Sequence, residues 1–143
     1  MSDPEIQRLG KYEIRGELGR GAMGVVYEAY DPLIERVVAL KTIRPEALAG
    51  AQAAEILARF KREAQAAGKL AHPNIVSIYE FGEDQGVWYI AMELVKGREL
   101  KEYFEEQQRF KTVDVVRILS QILSGLGYSH KRSRIRARPC SRS

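Results

Sequence analysis

The sequence predicts an α+β fold in which a part rich in strands precedes a part that is only helical. Short runs of apolar and β-branched residues, separated by turn residues, account for most of the first 95 positions. One long stretch of helix-forming residues interrupts these runs. After Gly97 both remaining elements have helical patterns. The predicted order is therefore three strands, a helix, two strands and two helices.

The first three strands follow a lead-in over residues 1–10 that has no regular pattern. Each strand is short, apolar and enriched in residues that favour sheets. Their predicted bounds are Tyr12–Leu18, Val25–Tyr30 and Val37–Ile43. The dipeptide Asp31-Pro32 predicts the turn between the second strand and the third.

The first helix is predicted from Pro45 to about Leu70, where Ala, Glu, Lys and Arg dominate. Its apolar positions recur at helical spacing and form one stripe, made of Ile56, Phe60, Ala64 and Ala67. The tripeptide His72-Pro73-Asn74 is expected to end it. Two strands follow, joined by an acidic turn, at Ile75–Phe81 and Val87–Leu94.

The last two helices are predicted over Glu99–Gln107 and from Thr112 to about His130. Thr112 suits the N-cap position, and Asp114 in the first turn faces the positive end of the helix dipole. The final helix is apolar over more than one stripe, at Val115, Val116, Ile118, Leu119, Ile122, Leu123 and Leu126. Such a helix is expected to be buried on several sides. The arginine-rich residues after it are not suited to cover it.

The composition is typical of a soluble globular protein. The chain has 143 residues, of which 45% are hydrophobic and 29% are charged. No apolar run reaches the roughly 18 residues of a membrane helix, and the N-terminus lacks the apolar core of a signal peptide. Cys140 is the only cysteine, which excludes an internal disulfide and leaves too few sulfurs for a zinc cage. We therefore expect a cytoplasmic protein.

The net charge of +4 comes from the end of the chain. Residues 131–143 include six basic residues and no acidic one, and the remainder has 17 basic and 19 acidic residues, a net charge of −2. A basic segment can bind nucleic acid through its phosphates. No aromatic residue lies between the arginines to stack on bases. A disordered tail over residues 132–143 is therefore favoured over a nucleic-acid site.

The segment from Leu18 to Lys41 predicts the function. It begins with Gly19, Gly21 and Gly24, continues through two apolar strands and ends on Lys41. Glycine lets backbone N–H groups approach phosphates closely, and a lysine supplies a point charge to the same phosphates. This arrangement favours an ATP site.

Two other interpretations of the glycines fit less well. A dinucleotide-binding turn needs a helix after its glycines, whereas the residues after Gly24 have the pattern of a strand. A purely structural hairpin needs one or two glycines, not three at this spacing.

Lys41 could instead be an ordinary solvated lysine at the edge of a strand, with no role in binding. It lies, however, within an apolar run, where a stray charge is costly. Because side chains alternate along a strand, Ala39 and Lys41 share one face. Ala39 is small enough to cover a flat purine while Lys41 reaches the phosphates. Val26 would touch the purine from the neighbouring strand.

These residues resemble a known family. Gly19-x-Gly21-x-x-Gly24-x-Val26, followed by Val38-Ala39-Leu40-Lys41, is similar to the opening of protein kinases, and most of all to bacterial Ser/Thr kinases of the eukaryotic type. The resemblance continues through RFKREAQAAGKLAHPNIV, YIAMELVKGREL and LSGLGYSH. It covers roughly residues 10–133.

The resemblance implies a kinase N-terminal lobe over residues 11–95, with five antiparallel strands and one long helix, and part of a helical C-terminal lobe over residues 96–131. It also implies ATP as the cofactor and, in the intact family, a protein substrate. Glu63 would pair with Lys41, although a helix glutamate can also be solvated, with Arg59 as a local partner.

In the hinge between lobes, Met92 would be the gatekeeper, and the backbones of Glu93 and Val95 would meet the adenine edge. The catalytic residues implied are Lys41 and Glu63. The residues expected to contact ATP are Leu18, Gly19, Arg20, Gly21, Ala22, Met23, Gly24, Val25, Val26, Ala39, Lys41, Met92, Glu93 and Val95.

Phosphoryl transfer also needs a carboxylate near the acceptor hydroxyl and ligands for Mg²⁺. In the family a His-Arg-Asp loop and Asp-Phe-Gly supply them, and this sequence has neither motif, nor any aspartate after Asp114. The resemblance ends abruptly near Ser133, so we hypothesise a truncated or frameshifted gene, which the nucleotide sequence after codon 133 would test. Mg²⁺ is expected in the intact family, but its protein ligands are absent here. The chain is expected to be an ATP-binding part of a Ser/Thr kinase that is inactive by itself.

Two alternatives remain open, and both rank below this interpretation. The chain could be a regulatory, pseudokinase-like module that binds a partner kinase, or a second copy of itself, through its apolar last helix. Alternatively, the basic tail could make it a nucleic-acid binder.

Overall fold

The computed structural model describes residues 7–21 and 24–136 of the chain. The chain forms two compact units. The sheet unit consists of Met1–Lys69 and Ser77–Leu94, and the helical unit consists of Leu70–Val76 and Val95–Ser143. The predicted order of a sheet with one long helix, followed by helices, is confirmed.

The sheet unit contains, among the described residues, six strands that all pair antiparallel. They are β1 (Arg8–Leu9), β2 (Tyr12–Arg20), β3 (Val25–Asp31), β4 (Arg36–Ile43), β5 (Ile78–Asp84) and β6 (Val87–Glu93). Their order across the sheet is β1-β2-β3-β4-β6-β5. This order places β4, which carries Lys41, in the interior of the sheet.

The first strand, β1, is one more than the five that the sequence predicts, and it lies within the expected lead-in. It pairs with the start of β2 across a two-residue turn. Gly10 in that turn has a φ of +57°, and its N–H donates to Oδ2 of Asp84 at 2.8 Å. Leu9 is only 2% exposed and joins the core, which explains how so short a strand is held.

Side chains alternate between the two faces of the sheet, and each face has its own apolar cluster. The first cluster consists of Leu9, Tyr12, Ala29, Val38, Leu40, Tyr89 and Ala91. The second cluster consists of Ile43, Phe60, Ala64 and Ile90. Lys41 lies on the face of the second cluster, because it is two positions from Ile43 on β4.

The helix predicted from Pro45 to Leu70 is two elements. Residues Pro45–Leu48 form a single 3₁₀ turn, and α1 spans Ala53–Ala67. Gly50 lies between them, where a glycine disfavours a continuous helix by about 1 kcal/mol relative to alanine. The predicted apolar stripe is nevertheless correct, because Phe60 and Ala64 are buried against the second face of the sheet.

The start of β5 lies three residues beyond its predicted position at Ile75. The N–H of Ile75 donates to the carbonyl oxygen of His72 at 3.0 Å. The N–H of Asn74 donates to Nδ1 of His72, also at 3.0 Å. These bonds close residues 72–75 into a turn, so they are not part of the strand.

A polar cluster joins the turn between β1 and β2 to the end of β3 and to β5. Nζ of Lys11 lies 3.2 Å from Oδ2 of Asp31 and 3.0 Å from Oε2 of Glu80. The hydroxyl of Tyr12 donates to Glu80 at 2.7 Å. Burial and this bond raise the pKa of Tyr12, and the bond to Glu80 raises the pKa of Lys11. Asp31 also accepts the N–H of Leu33 at 3.0 Å, which closes the predicted turn.

The helical unit contains α2 (Leu100–Glu105) and α3 (Thr112–Arg136). The first is shorter than the predicted Glu99–Gln107, because Glu99 is its N-cap and forms a capping box with Glu102. Thr112 is the first residue of α3 instead of its N-cap. The carbonyl oxygen of Lys111 accepts the first helical N–H groups of α3, at 2.9 and 3.1 Å.

The end of α3 lies at Arg136, beyond the predicted end at His130. Arginine and lysine are good helix formers and are favourable near the negative end of the helix dipole. The helix thus includes residues 132–136, which the sequence assigns to a disordered tail. Residues 137–143, with Cys140, lie outside the described residues. A helix of the length and apolarity needed to cross a bilayer does not occur in the described part of the chain.

One side of α3 packs against the segment 70–76 of the same unit. Nε2 of His72 lies 3.1 Å from Oγ of Ser124, and its ring lies 5.2 Å from that of Tyr128. Gly125 is buried there, and a Cβ at this position would lie 3.3 Å from the carbonyl oxygen of Asn74. The expected burial on several sides is not found. Seven apolar residues of α3 are 38–65% exposed, namely Val113, Val115, Val116, Leu119, Ile122, Leu123 and Leu126.

Candidate nucleotide-binding site

The glycine-rich loop joins β2 to β3 and packs directly on β4. The N–H of Gly21 donates to the carbonyl oxygen of Gly24 at 2.9 Å, which closes the loop. A Cβ at Gly24 would lie 1.8 Å from the carbonyl oxygen of Thr42, a distance that no side chain can tolerate. A Cβ at Gly19, in contrast, would have no other atom within 4 Å beyond its chain neighbours. Ala22 and Met23, which are expected to contact ATP, lie outside the described residues.

The strand that enters the loop is bulged. The register of β2 on β3 shifts between Glu17 and Gly19, so Leu18 is an extra residue with a side chain that is 49% exposed. The guanidinium of Arg20 forms two bonds to the carboxylate of Glu17, at 3.1 and 2.8 Å. These bonds lower the pKa of Glu17. The side chain of Arg20 is therefore engaged with Glu17, while its backbone enters the loop.

Four of the residues predicted to contact ATP share the second face of the sheet. Val26 pairs directly with Lys41, and Ala39 pairs directly with Met92. Directly paired residues of antiparallel strands point to the same face, as do residues two apart on one strand. Ala39 is buried, with 7% of its surface exposed, on the same face as Lys41.

A cavity of about 210 Å³ lies beneath the glycine-rich loop, entirely within the sheet unit. Its lining consists of Gly21, Gly24, Val25, Val26, Lys41, Thr42, Ile43 and Phe60. The last three are not among the predicted site residues. The hydroxyl of Thr42 donates to the carbonyl oxygen of Val25 at 2.8 Å and accepts its N–H at 3.3 Å, which ties β3 to β4 at the loop. Two features of the sequence could have indicated these lining residues. Thr42 is a polar residue next to Lys41, and Phe60 is an aromatic residue in the apolar stripe of the helix.

The side chains of Lys41 and Glu63 approach each other at the edge of this cavity. Nζ of Lys41 lies 3.7 Å from Oε2 of Glu63, and the two side chains are 44% and 57% exposed. Arg59, the alternative partner of Glu63, pairs with Glu55 at 3.7 Å. An ion pair this exposed contributes only about 0–1 kcal/mol. The pair can therefore orient the ammonium of Lys41, but it is too weak to hold α1 in place.

Some hydrogen-bonding groups of the predicted hinge residues are already bonded within the protein. The N–H of Glu93 donates to the carbonyl oxygen of Ser77 at 2.9 Å, and its carboxylate accepts the N–H of Ser77 at 3.2 Å. A ligand at this strand could therefore use the carbonyl of Glu93 but not its N–H. Met92 is half-buried and packs on the second cluster. Val95 belongs to the helical unit, and its side chain is 64% exposed.

The residues around the cavity fit a nucleotide better than a metal held by the protein. The close approach of the loop at Gly24 and the cation of Lys41 are suited to phosphates. Within residues 7–21 and 24–136, no group of three or more His, Cys, Asp or Glu side chains is placed to hold a metal ion. Mg²⁺ requires such oxygen ligands or the phosphates themselves, so no step is assigned to a metal bound by these residues.

Comparisons with known proteins agree on one family. The model of the protein kinase domain matches residues 12–136. The serine/threonine-protein kinase PrkC of Bacillus subtilis is 41% identical over 122 residues, and PknD of Mycobacterium tuberculosis is 38% identical over 133 residues. These alignments include 85% and 91% of this chain but only 18% and 20% of the two relatives. The chain thus spans about a fifth of the curated relatives it matches.

A solved structure shows the same fold. The crystal structure of the Mycobacterium tuberculosis PknI kinase domain matches with a TM-score of 0.70 and 30% identity. The match includes 87% of this chain and 50% of that kinase domain. The predicted fold, the sheet of a kinase N-terminal lobe followed by the start of the helical lobe, is confirmed.

Proposed function

The chain belongs to the protein kinase family, and from this premise we propose that its sheet unit binds ATP beneath the glycine-rich loop. One observation carries the proposal. The cavity under the loop, the close approach of Gly24 to β4 and the pair formed by Lys41 and Glu63 all lie at one place. A glycine-lined backbone with an oriented cation is the arrangement that phosphates require.

Each part of the site has a proposed role. Backbone N–H groups of the loop lie against the phosphates, Lys41 binds the same phosphates, and Glu63 holds the ammonium of Lys41 in position. Adenine contacts the apolar surface of Leu18, Val26, Ala39 and Met92. Its edge meets the backbone carbonyl of Glu93.

We further propose that this chain does not transfer the phosphoryl group efficiently by itself. In Ser/Thr kinases the reaction needs an aspartate that accepts the substrate hydroxyl proton, and Asp and Asn ligands for two Mg²⁺ ions. The sequence has neither a His-Arg-Asp nor an Asp-Phe-Gly motif. We therefore assign neither a protein substrate nor complete kinase activity to this chain by itself.

Calorimetric titration with MgATP tests the binding site. The unmodified chain is expected to bind, and Lys41→Ala is expected to weaken binding by roughly 10- to 150-fold, because a charge-assisted hydrogen bond to phosphate is worth roughly 1.5–3 kcal/mol. Lys61→Ala is the matched control, since Lys61 is an exposed lysine on α1 away from the cavity lining. Equal affinity for all three proteins, or no binding by the unmodified chain, would show that ATP is not bound at this place.

Transfer is tested separately, by incubating the chain with radiolabelled ATP and a generic protein acceptor. Incorporation is expected to stay at the level of a blank without enzyme. Sustained incorporation that is lost in Lys41→Ala would overturn the proposal of inactivity, while leaving the proposed ATP site intact.

A second candidate function is that of a regulatory module that associates through α3. The observation in its favour is the set of seven exposed apolar residues on this helix. Monomeric proteins rarely expose so much contiguous apolar surface. Two copies of the chain could each cover this face of the other, and a related kinase could do the same.

Sedimentation equilibrium tests this association. The pure chain is expected to form dimers or larger species at high micromolar concentration. Replacing Leu119 and Leu123, which lie one helical turn apart and are 52% and 65% exposed, by glutamate should yield a monomer. Gln121→Glu adds a charge to the same helix without removing apolar surface, and should leave association unchanged. A monomeric unmodified chain would rule out self-association.

A further inference from the structure

The position of Glu63 depends on the position of α1, and two local features leave α1 weakly fixed. Its N-cap, Gln52, forms no side-chain capping bond. The pair of Lys41 and Glu63 is half-exposed, with its charged atoms 3.7 Å apart. Neither feature is strong enough to set the distance between the helix and β4.

The buried residues of α1 lie next to Glu63. Phe60 and Ala64 are 5% and 4% exposed, and they are the helix residues that are buried in the second cluster. Phe60 lies three positions before Glu63, which places both on adjoining positions of one helical turn. Ala64 follows Glu63 directly. The turn that carries the carboxylate is therefore the turn that packs on the sheet.

An aromatic stack connects this turn to the strand of Lys41. The ring of Phe60 lies 6.0 Å from that of Phe81 on β5, and the ring of Phe81 stacks on Trp88 of β6 at 5.3 Å and 26°. Trp88 in turn pairs with Ile43 of β4, two positions from Lys41. Phe60 also lines the cavity that contains Lys41. The three rings thus form a continuous contact from the helix across two strands.

We propose that Phe60, Phe81 and Trp88 form an aromatic anchor that positions Glu63 beside Lys41. Phe60 is then a positioning residue, because its apolar ring cannot bind phosphate and acts by setting how far apart Lys41 and Glu63 lie. A smaller side chain at position 60 would let α1 move on the sheet, and the exposed ion pair would be lost. This inference rests on the proposed ATP site, because its functional consequence is the orientation of Lys41 towards phosphates.

A double-mutant cycle tests whether Phe60 acts through Glu63. Phe60→Leu is expected to weaken the affinity for MgATP about two- to fivefold, which is the change in affinity that corresponds to losing a partly exposed ion pair. Glu63→Gln should weaken it by a similar factor, and adding Phe60→Leu to Glu63→Gln should cause little further loss. The inference is overturned if Phe60→Leu weakens binding equally in both backgrounds, or not at all in the unmodified chain.

A matched variant separates positioning from a general loss of stability. Leu9→Ala removes a buried side chain from the first cluster, on the other face of the sheet. It should lower the midpoint of urea unfolding at least as much as Phe60→Leu while leaving the affinity for MgATP unchanged. A similar loss of affinity in Leu9→Ala would assign the effect of Phe60 to stability alone.

The anchor can also be tested without nucleotide. Trp88 is the only tryptophan, so the near-ultraviolet circular dichroism and the fluorescence of the chain report on the stack directly. In Phe60→Leu these signals should change, and amide hydrogen exchange should rise over residues 53–67 but not over β3 and β4. In Leu9→Ala exchange in α1 should stay unchanged. If the unmodified chain binds no ATP, the proposed function fails. Unchanged exchange in α1 of Phe60→Leu would show that the anchor fails.

Discussion

Gly24→Ala is expected to lower the free energy of unfolding by about 3 kcal/mol and to abolish measurable binding of MgATP. The added Cβ would lie 1.8 Å from the carbonyl oxygen of Thr42 and 2.7 Å from its carbonyl carbon. Both contacts are with backbone, so no side chain can move aside. Relief requires the loop to separate from β4, which would also open the cavity above Lys41. Urea denaturation and calorimetric titration measure the two effects.

Gly19→Ala is the matched control in the same loop. No atom outside its chain neighbours lies within 4 Å of a Cβ at Gly19. Its free energy of unfolding is therefore expected to stay within about 0.5 kcal/mol of that of the unmodified chain. A Gly24→Ala variant as stable as Gly19→Ala would contradict the close packing of the loop on β4.

Lys11→Met is expected to lower the free energy of unfolding by about 2–3 kcal/mol. It would leave the carboxylate of Asp31, which is only 2% exposed, without its cation at 3.2 Å. The loss should be smaller than for a fully buried pair, because the side chain of Lys11 is 36% exposed and water can partly replace it. Urea denaturation at neutral pH measures it. The pKa of Lys11 is raised, so this stabilisation is present below its ordinary value of 10.5 and is lost as the pH rises through the folded value.

The double variant Lys11→Met with Asp31→Asn tests the cause. Asparagine removes the buried charge but keeps an oxygen that can accept the N–H of Leu33. The double variant should therefore be more stable than Lys11→Met alone. If it is less stable, the buried charge of Asp31 is not the reason for the loss.

Much of the sheet could be predicted, because its strands are apolar runs bounded by turn residues such as Asp31-Pro32. The strand β1 could not be predicted. It has no pattern of its own, and it depends on a bond from Gly10 to Asp84, which lies 74 residues away. Likewise, the delayed start of β5 follows from bonds within residues 72–75 that no periodicity reveals.

The candidate site likewise includes features that can be predicted from the sequence and features that cannot. Alternation along one strand is a local property, so the shared face of Ala39 and Lys41 could be read from the sequence. The lining by Thr42, Ile43 and Phe60 depends on how a loop, a strand and a helix meet. The ion pair between Glu63 and Lys41 is predicted only by the family resemblance. The helix pattern alone also allows Glu63 to pair with Arg59, one turn earlier on the same helix.

The two outer strands of the sheet bear on how the protein would aggregate. A long, flat, apolar edge strand recruits strands from other chains. At one edge, β1 is only two residues long, and the part of β2 beyond it is interrupted by register shifts between Ile14 and Gly16 and between Glu17 and Gly19. At the other, β5 carries the acidic residues Glu80, Glu83 and Asp84. Neither edge is a good template for intermolecular strand pairing. Assemblies of the native chain should therefore lack intermolecular strand pairing and fail to bind thioflavin T, the dye that detects cross-β fibrils.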